Sequence, residues 1–213
     1  MIGVLCLSLQ VFLRYQVYAY DASVRTAWLD ATRGFFNGTS LFLHIEGQED
    51  AMHAMELVAS QPIANWSVAT GLTPQKTSRR GFGTYLASNY HELVDCPVEI
   101  GPFWSGSFTA CGVPHRFVVA GATASFDGER LLADTQKICE TEIRFWHGAD
   151  AGKRRGRKPP HANYLFMLNA VHDGYGGLEH RNSTALICTR KDLPRLERQS
   201  LAPPVHKQPE GYT

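Results

Sequence analysis

The sequence predicts a mainly β chain with some α, and three observations carry that reading. Over about the first hundred residues, short apolar runs alternate with turn residues at the spacing of an antiparallel sandwich. A single long segment, Asp127 to Trp146, repeats its apolar residues at three and four, the helical period. Two further apolar runs, Tyr164–Val171 and Ala185–Cys188, bracket a glycine-rich stretch and read as strands.

At the start, Ile2 to Leu13 is largely apolar, but no basic residue precedes it and no small-residue cleavage site follows, as a signal peptide requires. It is also too short to span a bilayer, which takes about 20 apolar residues. Val11, Leu13, Tyr15, Val17 and Ala19 alternate with Arg14 and Gln16, the pattern of a half-buried strand. Asn37-Gly38 predicts a tight turn joining Phe35-Phe36 to Leu41–Ile45. Ala54–Val58 and Trp66–Thr70 are strand candidates separated by Gln61-Pro62. Gly71-Leu72-Thr73-Pro74 and Arg79-Arg80-Gly81 read as loops. Ser88 to Val94 can form a short helix capped by Ser88 or Asn89, with Pro97 beyond its end.

From Glu99 the pattern changes. Ser107–Cys111 and His115–Ala120 flank Gly112-Val113-Pro114 as a hairpin. The helix follows, with Leu131, Leu132, Ile138, Cys139, Ile143, Phe145 and Trp146 as its apolar set and Gly148 as its stop. The basic run Lys153–Lys158 cannot pack, and it lacks the interleaved aromatics of a nucleic-acid surface, so it reads as a solvated loop. The tail after Pro194 is polar and proline-rich and reads as disordered. The organisation expected is a β-rich domain over 1–100, a second unit over 101–194 and a disordered tail over 195–213.

The formal net charge of +1 supplies no field to steer nucleic acid. Nothing reads as a membrane segment, which favours a cytoplasmic setting. The five cysteines, Cys6, Cys96, Cys111, Cys139 and Cys188, are odd in number and show no C-x-x-C spacing. They read as reduced thiols rather than a disulfide framework or a thiolate zinc site. A helical zinc site with an open position needs histidines four apart on one helical face, with a glutamate beside the first as general base. His91-Glu92-Leu93-Val94-Asp95 begins that way but ends in Asp95. The other histidines offer no ligand spacing, and Ser183 has no evident base partner. No catalytic residue and no metal ligand is therefore assigned in this chain. Asn37, Asn65 and Asn182 head glycosylation triplets that chance supplies often.

The most informative stretch is Asp173-Gly174-Tyr175-Gly176-Gly177-Leu178-Glu179-His180-Arg181-Asn182-Ser183-Thr184. Glycines let a backbone lie close to a ligand, and an edge strand can pair with an extended peptide through main-chain hydrogen bonds. A glutamate at its end can hold a free amino group. Gly176-Gly177-Leu178-Glu179-His180 with Ser183-Thr184 resembles the Gly-Gly-Leu-Glu-His signature of metallopeptidase family 61, the glycyl aminopeptidases of the zinc gluzincin type. Tyr15–Ala19 with Ser23-Val24-Arg25, Trp66–Leu72, and Tyr90–Asp95 with Pro97-Val98-Glu99 agree with the same family, and the likeness runs from about Val11 to Pro194.

The resemblance implies an N-terminal antiparallel β-sandwich-like domain, then the opening β-sheet and one helix of a thermolysin-like catalytic domain. It implies Gly176 and Gly177 as backbone ligands of a peptide substrate, Glu179 as the anchor of its α-amine, and His180 as the residue orienting the motif. It implies zinc in the intact family enzyme, with the H-E-x-x-H helix following the stretch present here, so that this chain binds no zinc and is inactive alone. The expected partners are a peptide with a free N-terminus and the remaining catalytic portion, not nucleic acid or membrane. A non-catalytic peptide-binding module and a truncated reading frame are the competing expectations.

Overall fold

The computed structural model describes residues 11–59, 65–152 and 159–196. Among them are twelve strands in three sheets and two α-helices. The sheets lie in layers because each apolar face finds another to cover it.

The inner layer contains β1 (Ala27–Leu29), β2 (Gly34–Phe36), β4 (Ser67–Thr70) and β7 (Val98–Gly101), all antiparallel in the order β1-β2-β7-β4. The outer layer contains β3 (His53–Leu57), β5 (Thr73–Thr77) and β6 (Gly83–Ala87) in the order β3-β6-β5. Successive side chains on a strand point to opposite faces, and the inner sheet uses both. Val68 and Val98 pack with Met55, Tyr85 and Ala87 of the outer sheet. Ala69, next to Val68 in the chain, packs with Val118, Leu165 and Met167 on the far side, as Phe35 does with Ala185. α1 (Tyr90–Val94) closes the first cluster through Leu93. Asn89 caps it by accepting from Glu92 N at 2.8 Å, while the Glu92 carboxylate accepts from Ser88 N at 2.6 Å. That reciprocal arrangement is a capping box shifted by one residue.

The third sheet contains β8 (Trp104–Ala110), β9 (Val113–Ala120), β10 (Tyr164–Val171), β11 (Gly176–Glu179) and β12 (Ser183–Thr189), in the order β11-β12-β10-β9-β8. β9, β10 and β12 are parallel, and β8 and β11 are antiparallel edges. α2 (Gly128–His147) makes the crossover from β9 to β10, capped by Asp127, which accepts from Arg130 N at 3.0 Å. One sheet face meets the inner layer. The other, with Phe117, Val119, Leu168 and Ala170, meets Leu131 and Leu132 of α2. Full burial of such side chains stabilises the fold by roughly 1.5–3 kcal/mol each.

One charged pair lies within these layers. Glu99 on β7, 1% exposed, accepts from Arg33 Nε at 2.7 Å and from Arg33 Nη2 at 2.6 Å. Burial pushes the Glu99 carboxyl up, and the adjoining guanidinium pulls it back. Removing one partner of such a pair costs about 3–5 kcal/mol, because the other charge is left buried alone.

Five expectations are corrected. Residues 11–19 are not a half-buried strand. Val11, Leu13 and Tyr15 are 68%, 71% and 48% exposed, and regular bonding begins only at Ala19 O, which accepts from Leu29 N. Asn37-Gly38 does not turn a hairpin into Leu41–Ile45: neither residue has the positive φ that such a turn needs. Instead Asn37 caps a single 3-10 turn, and Gly38 is small because a Cβ there would lie 2.7 Å from Val94 Cα. The segment from Thr73 is a strand, not a loop. Pro74 is tolerated because β5 is an edge, with a bulge between Pro74 and Lys76. The β8-β9 turn is Cys111-Gly112, with φ of 47° and 81°, one step earlier than expected. Pro194 to Leu196 is tied to the chain before α2, with Asp127 N donating to Pro194 O and Leu196 N to Ser125 O. Cys6, the 60–64 stretch with Gln61-Pro62, the basic run over 153–158 and the tail over 197–213 lie outside the described residues.

Candidate functional site

β11 is an outer strand of the third sheet, and its inner edge is paired antiparallel to β12, Gly176 opposite Ile187 and Glu179 opposite Thr184. Gly174 makes the bend that starts it. Its φ of 154° and the closeness of Val171 Cγ2, 3.0 Å from a Cβ placed there, leave room for nothing larger. Paired residues share a sheet face. Leu178 and Ile187 pack with Val24 and Phe35, so Gly176 and Leu178 face the inner sheet. Gly177 and Glu179 face the side that carries α2. A Cβ on Gly176 would meet nothing within 4 Å, whereas one on Gly177 would lie 3.2 Å from Leu186 Cδ2.

The Glu179 side chain is exposed and, among the described residues, takes part in no hydrogen bond or ion pair. Behind it, Tyr164 donates to Ser183 O at 3.1 Å. Burial pushes the Tyr164 hydroxyl up to about 12, with Cys139 and Glu179 adding to the shift.

Past Glu179 the chain is tied down at every step. His180 N donates to Ser183 O at 2.8 Å, closing the turn. The His180 ring, 5% exposed, bonds through Nδ1 to Asp95 Oδ1 at 3.0 Å, and the other Asp95 oxygen accepts from Arg181 N at 3.0 Å. Asn182 Nδ2 donates to Gly71 O at 3.1 Å. A Cβ at Gly71 would come within 2.4 Å of Asn182 Oδ1, so a larger residue there would push the Asn182 side chain aside. His180 Nε2 and Ser183 Oγ are buried without a hydrogen-bond partner among the described residues.

The structure thus brings Gly176, Gly177, Glu179 and His180 onto one edge strand and its turn. Sequence reasoning missed Asp95, Asn182 and Gly71. Asp95 is the residue that spoils a metal-binding reading of His91-Glu92-Leu93-Val94-Asp95, and its two oxygens are engaged by His180 and Arg181. Its place just past the end of α1 was legible; its partner, 85 residues away, was not. Asn37 and Asn182, heads of two glycosylation triplets, spend their side chains on Thr39 and Gly71.

Zinc does not fit these residues. Among the described residues no group of three or more His, Cys, Asp or Glu could hold a metal ion. Burial pushes the Cys96 thiol up to about 12 and the Cys139 thiol to about 11, so neither is a ready thiolate. No helix among the described residues is long and apolar enough to cross a membrane.

The fold is that of part of an aminopeptidase. A crystal structure of an aminopeptidase N family protein from Idiomarina loihiensis superposes with a TM-score of 0.76 at 42% identity, covering 84% of this chain and 29% of that one. More particularly, residues 7–102 match the Peptidase M61 N-terminal domain. An M1 zinc metallopeptidase from Deinococcus radiodurans also matches, with a TM-score of 0.44, 16% identity and coverage of 81% of this chain and 39% of that one. A variant of that protein bound to a Tyr-Ser-Ala substrate gives a TM-score of 0.45 and 15% identity over 79% of this chain and 39% of that one. No curated protein matches. The chain therefore spans less than a third of the length of the Idiomarina relative.

Proposed function

We propose that this chain is the substrate-anchoring front part of a zinc-dependent aminopeptidase. In this reading residues 1–100 are its β-sandwich-like N-terminal domain, 101–194 open a thermolysin-like catalytic domain, and 195–213 are a tail. Gly176 and Gly177 offer main-chain groups to an extended peptide that adds to the free edge of β11. Glu179 holds the peptide's α-ammonium by a charge-assisted hydrogen bond. His180, fixed by Asp95, keeps the end of the strand in place. Zinc and the group that activates water belong to the intact family enzyme and not to the described residues, so the isolated chain binds peptides without cutting them.

The observation that carries this reading is the unpaired Glu179 carboxylate at the end of a glycine strand whose outer edge has no neighbouring strand among the described residues. Calorimetric titration of the 213-residue chain with Gly-Ala-Ala tests it. The free-amine peptide should bind about tenfold more tightly than its N-acetylated form, the scale of one charge-assisted bond. E179Q should remove that difference. Binding that ignores acetylation in the unsubstituted chain would remove the basis of the proposal.

A further inference from the structure

The turn Ala22–Arg25 lies beside the start of the glycine strand. Between that turn and Asp173–Gly176 is a groove of about 300 Å³, which Val171 and Ile187 also line. Ser23 and Asp21 make the turn: Asp21 Oδ1 accepts from Ser23 N at 3.1 Å, and Ser23 Oγ accepts from Arg25 N at 3.1 Å. Val24 is buried against Ala185, which anchors the turn to the sheet. Arg25 is exposed and forms no ion pair among the described residues. Tyr175, 96% exposed, stands on the other side.

We propose that this groove is a second peptide subsite, which takes a carboxylate on the fourth residue of a bound peptide, with Arg25 as its ion-pair partner. This rests on the reading of Glu179 as the amine anchor. A peptide added antiparallel to β11 with its first residue opposite Glu179 has its second opposite Leu178, its third opposite Gly177 and its fourth opposite Gly176. At about 3.4 Å per residue, the fourth lies roughly 10 Å from the amine. Cross-strand partners share a face, so the fourth side chain points with Gly176 toward the inner sheet, where the groove is. The missing side chain of Gly176 leaves that path open, since nothing lies within 4 Å of where its Cβ would be. The guanidinium fork fits a carboxylate by two parallel bonds. The exposed Tyr175 ring gives the methylenes of a glutamate an apolar wall. Asp173, also on the groove, is the opposing charge and limits the gain.

The 213-residue chain is titrated with Gly-Ala-Ala-Glu-amide, Gly-Ala-Ala-Gln-amide, Gly-Ala-Ala-Lys-amide, and Gly-Ala-Ala-Ala with a free terminal carboxylate. The glutamate peptide should bind about tenfold more tightly than the glutamine peptide. R25Q should abolish the preference, R25K should keep part of it, and D173N should enlarge it. A matching gain for Gly-Ala-Ala-Ala over the glutamine peptide supports the subsite with a chain terminus as the source, and a gain for glutamate alone supports it with a side chain as the source. Equal binding of the glutamate and glutamine peptides, a preference for lysine, or a preference that survives R25Q overturns the subsite. If the free amine still matters in those cases, the Glu179 anchor stands without it. If acetylation changes nothing, the anchor itself falls.

Discussion

Asp95 sets the geometry of the candidate site although it belongs to a different part of the chain. Its two oxygens meet His180 Nδ1 and Arg181 N, the first two groups after Glu179. Truncation leaves a buried ring nitrogen without a partner, which costs about 1–3 kcal/mol. D95A should therefore lower stability by that amount in chemical denaturation and speed hydrogen exchange at the Arg181 amide, while D95N, which keeps an acceptor for His180, should lose less. At this scale the sequence showed the ends of interactions but not their pairing. Glu179 and His180 were visible as a motif, and Asp95 was visible as a misfit. That the misfit holds the motif follows only when α1 and the β11-β12 turn lie side by side. Glycines divide in the same way. Gly174 was visible as part of a glycine-rich stretch, but Gly38 and Gly71 are small because Val94 and Asn182 press on them, and such neighbours leave no local trace.

Elements whose signals are local were read well. α2 begins at Asp127 and ends at Gly148 as its cap, period and stop require. D127A should destabilise the chain by about 1 kcal/mol, measured as a shift in the denaturant midpoint at unchanged slope. Tyr164–Val171 appears as β10 with the bounds that its composition gave. Elements that depend on a distant partner were read less well. The alternation over residues 11–19 is genuine, yet a strand needs a ladder, and none pairs with it among the described residues before Tyr20 meets Trp28. The apolar period of α2 also overstated its burial. Cys139 and Ile143 pack near Ala110 and Ala151, but Ile138, Phe145 and Trp146 are 62%, 74% and 71% exposed. Periodicity says that a helix has an apolar face; it does not say how much of that face is covered.

For the molecule as a whole, acid is the expected weakness. His115 is 3% exposed, stacked 4.9 Å from Phe108, with Nδ1 bonded to Val113 O at 2.8 Å. Burial lowers the pKa of its imidazole below the ordinary 6.5, against the pull of the Val113 carbonyl. Burial, then His115 and His147, lower that of His161 in the same way. The unfolded chain therefore takes up protons first as pH falls through about 6.5. Stability is full above that value and is lost below it, so the denaturation free energy should decline from pH 7.5 to pH 5.5. H161N should flatten that decline. The layered order of the three sheets was not in the sequence, since alternation marks two faces on a strand without saying what covers each. The inner sheet is the clearest case: Val68 and Ala69, or Phe35 and Phe36, are neighbours in the chain and belong to different interiors. A sheet shared in this way is a common wall and not a partition between two rooms. The first hundred residues and the third sheet close one interior between them, so the edge that β11 presents takes its alignment from side chains such as Val24, Phe35 and Ala69, far earlier in the chain.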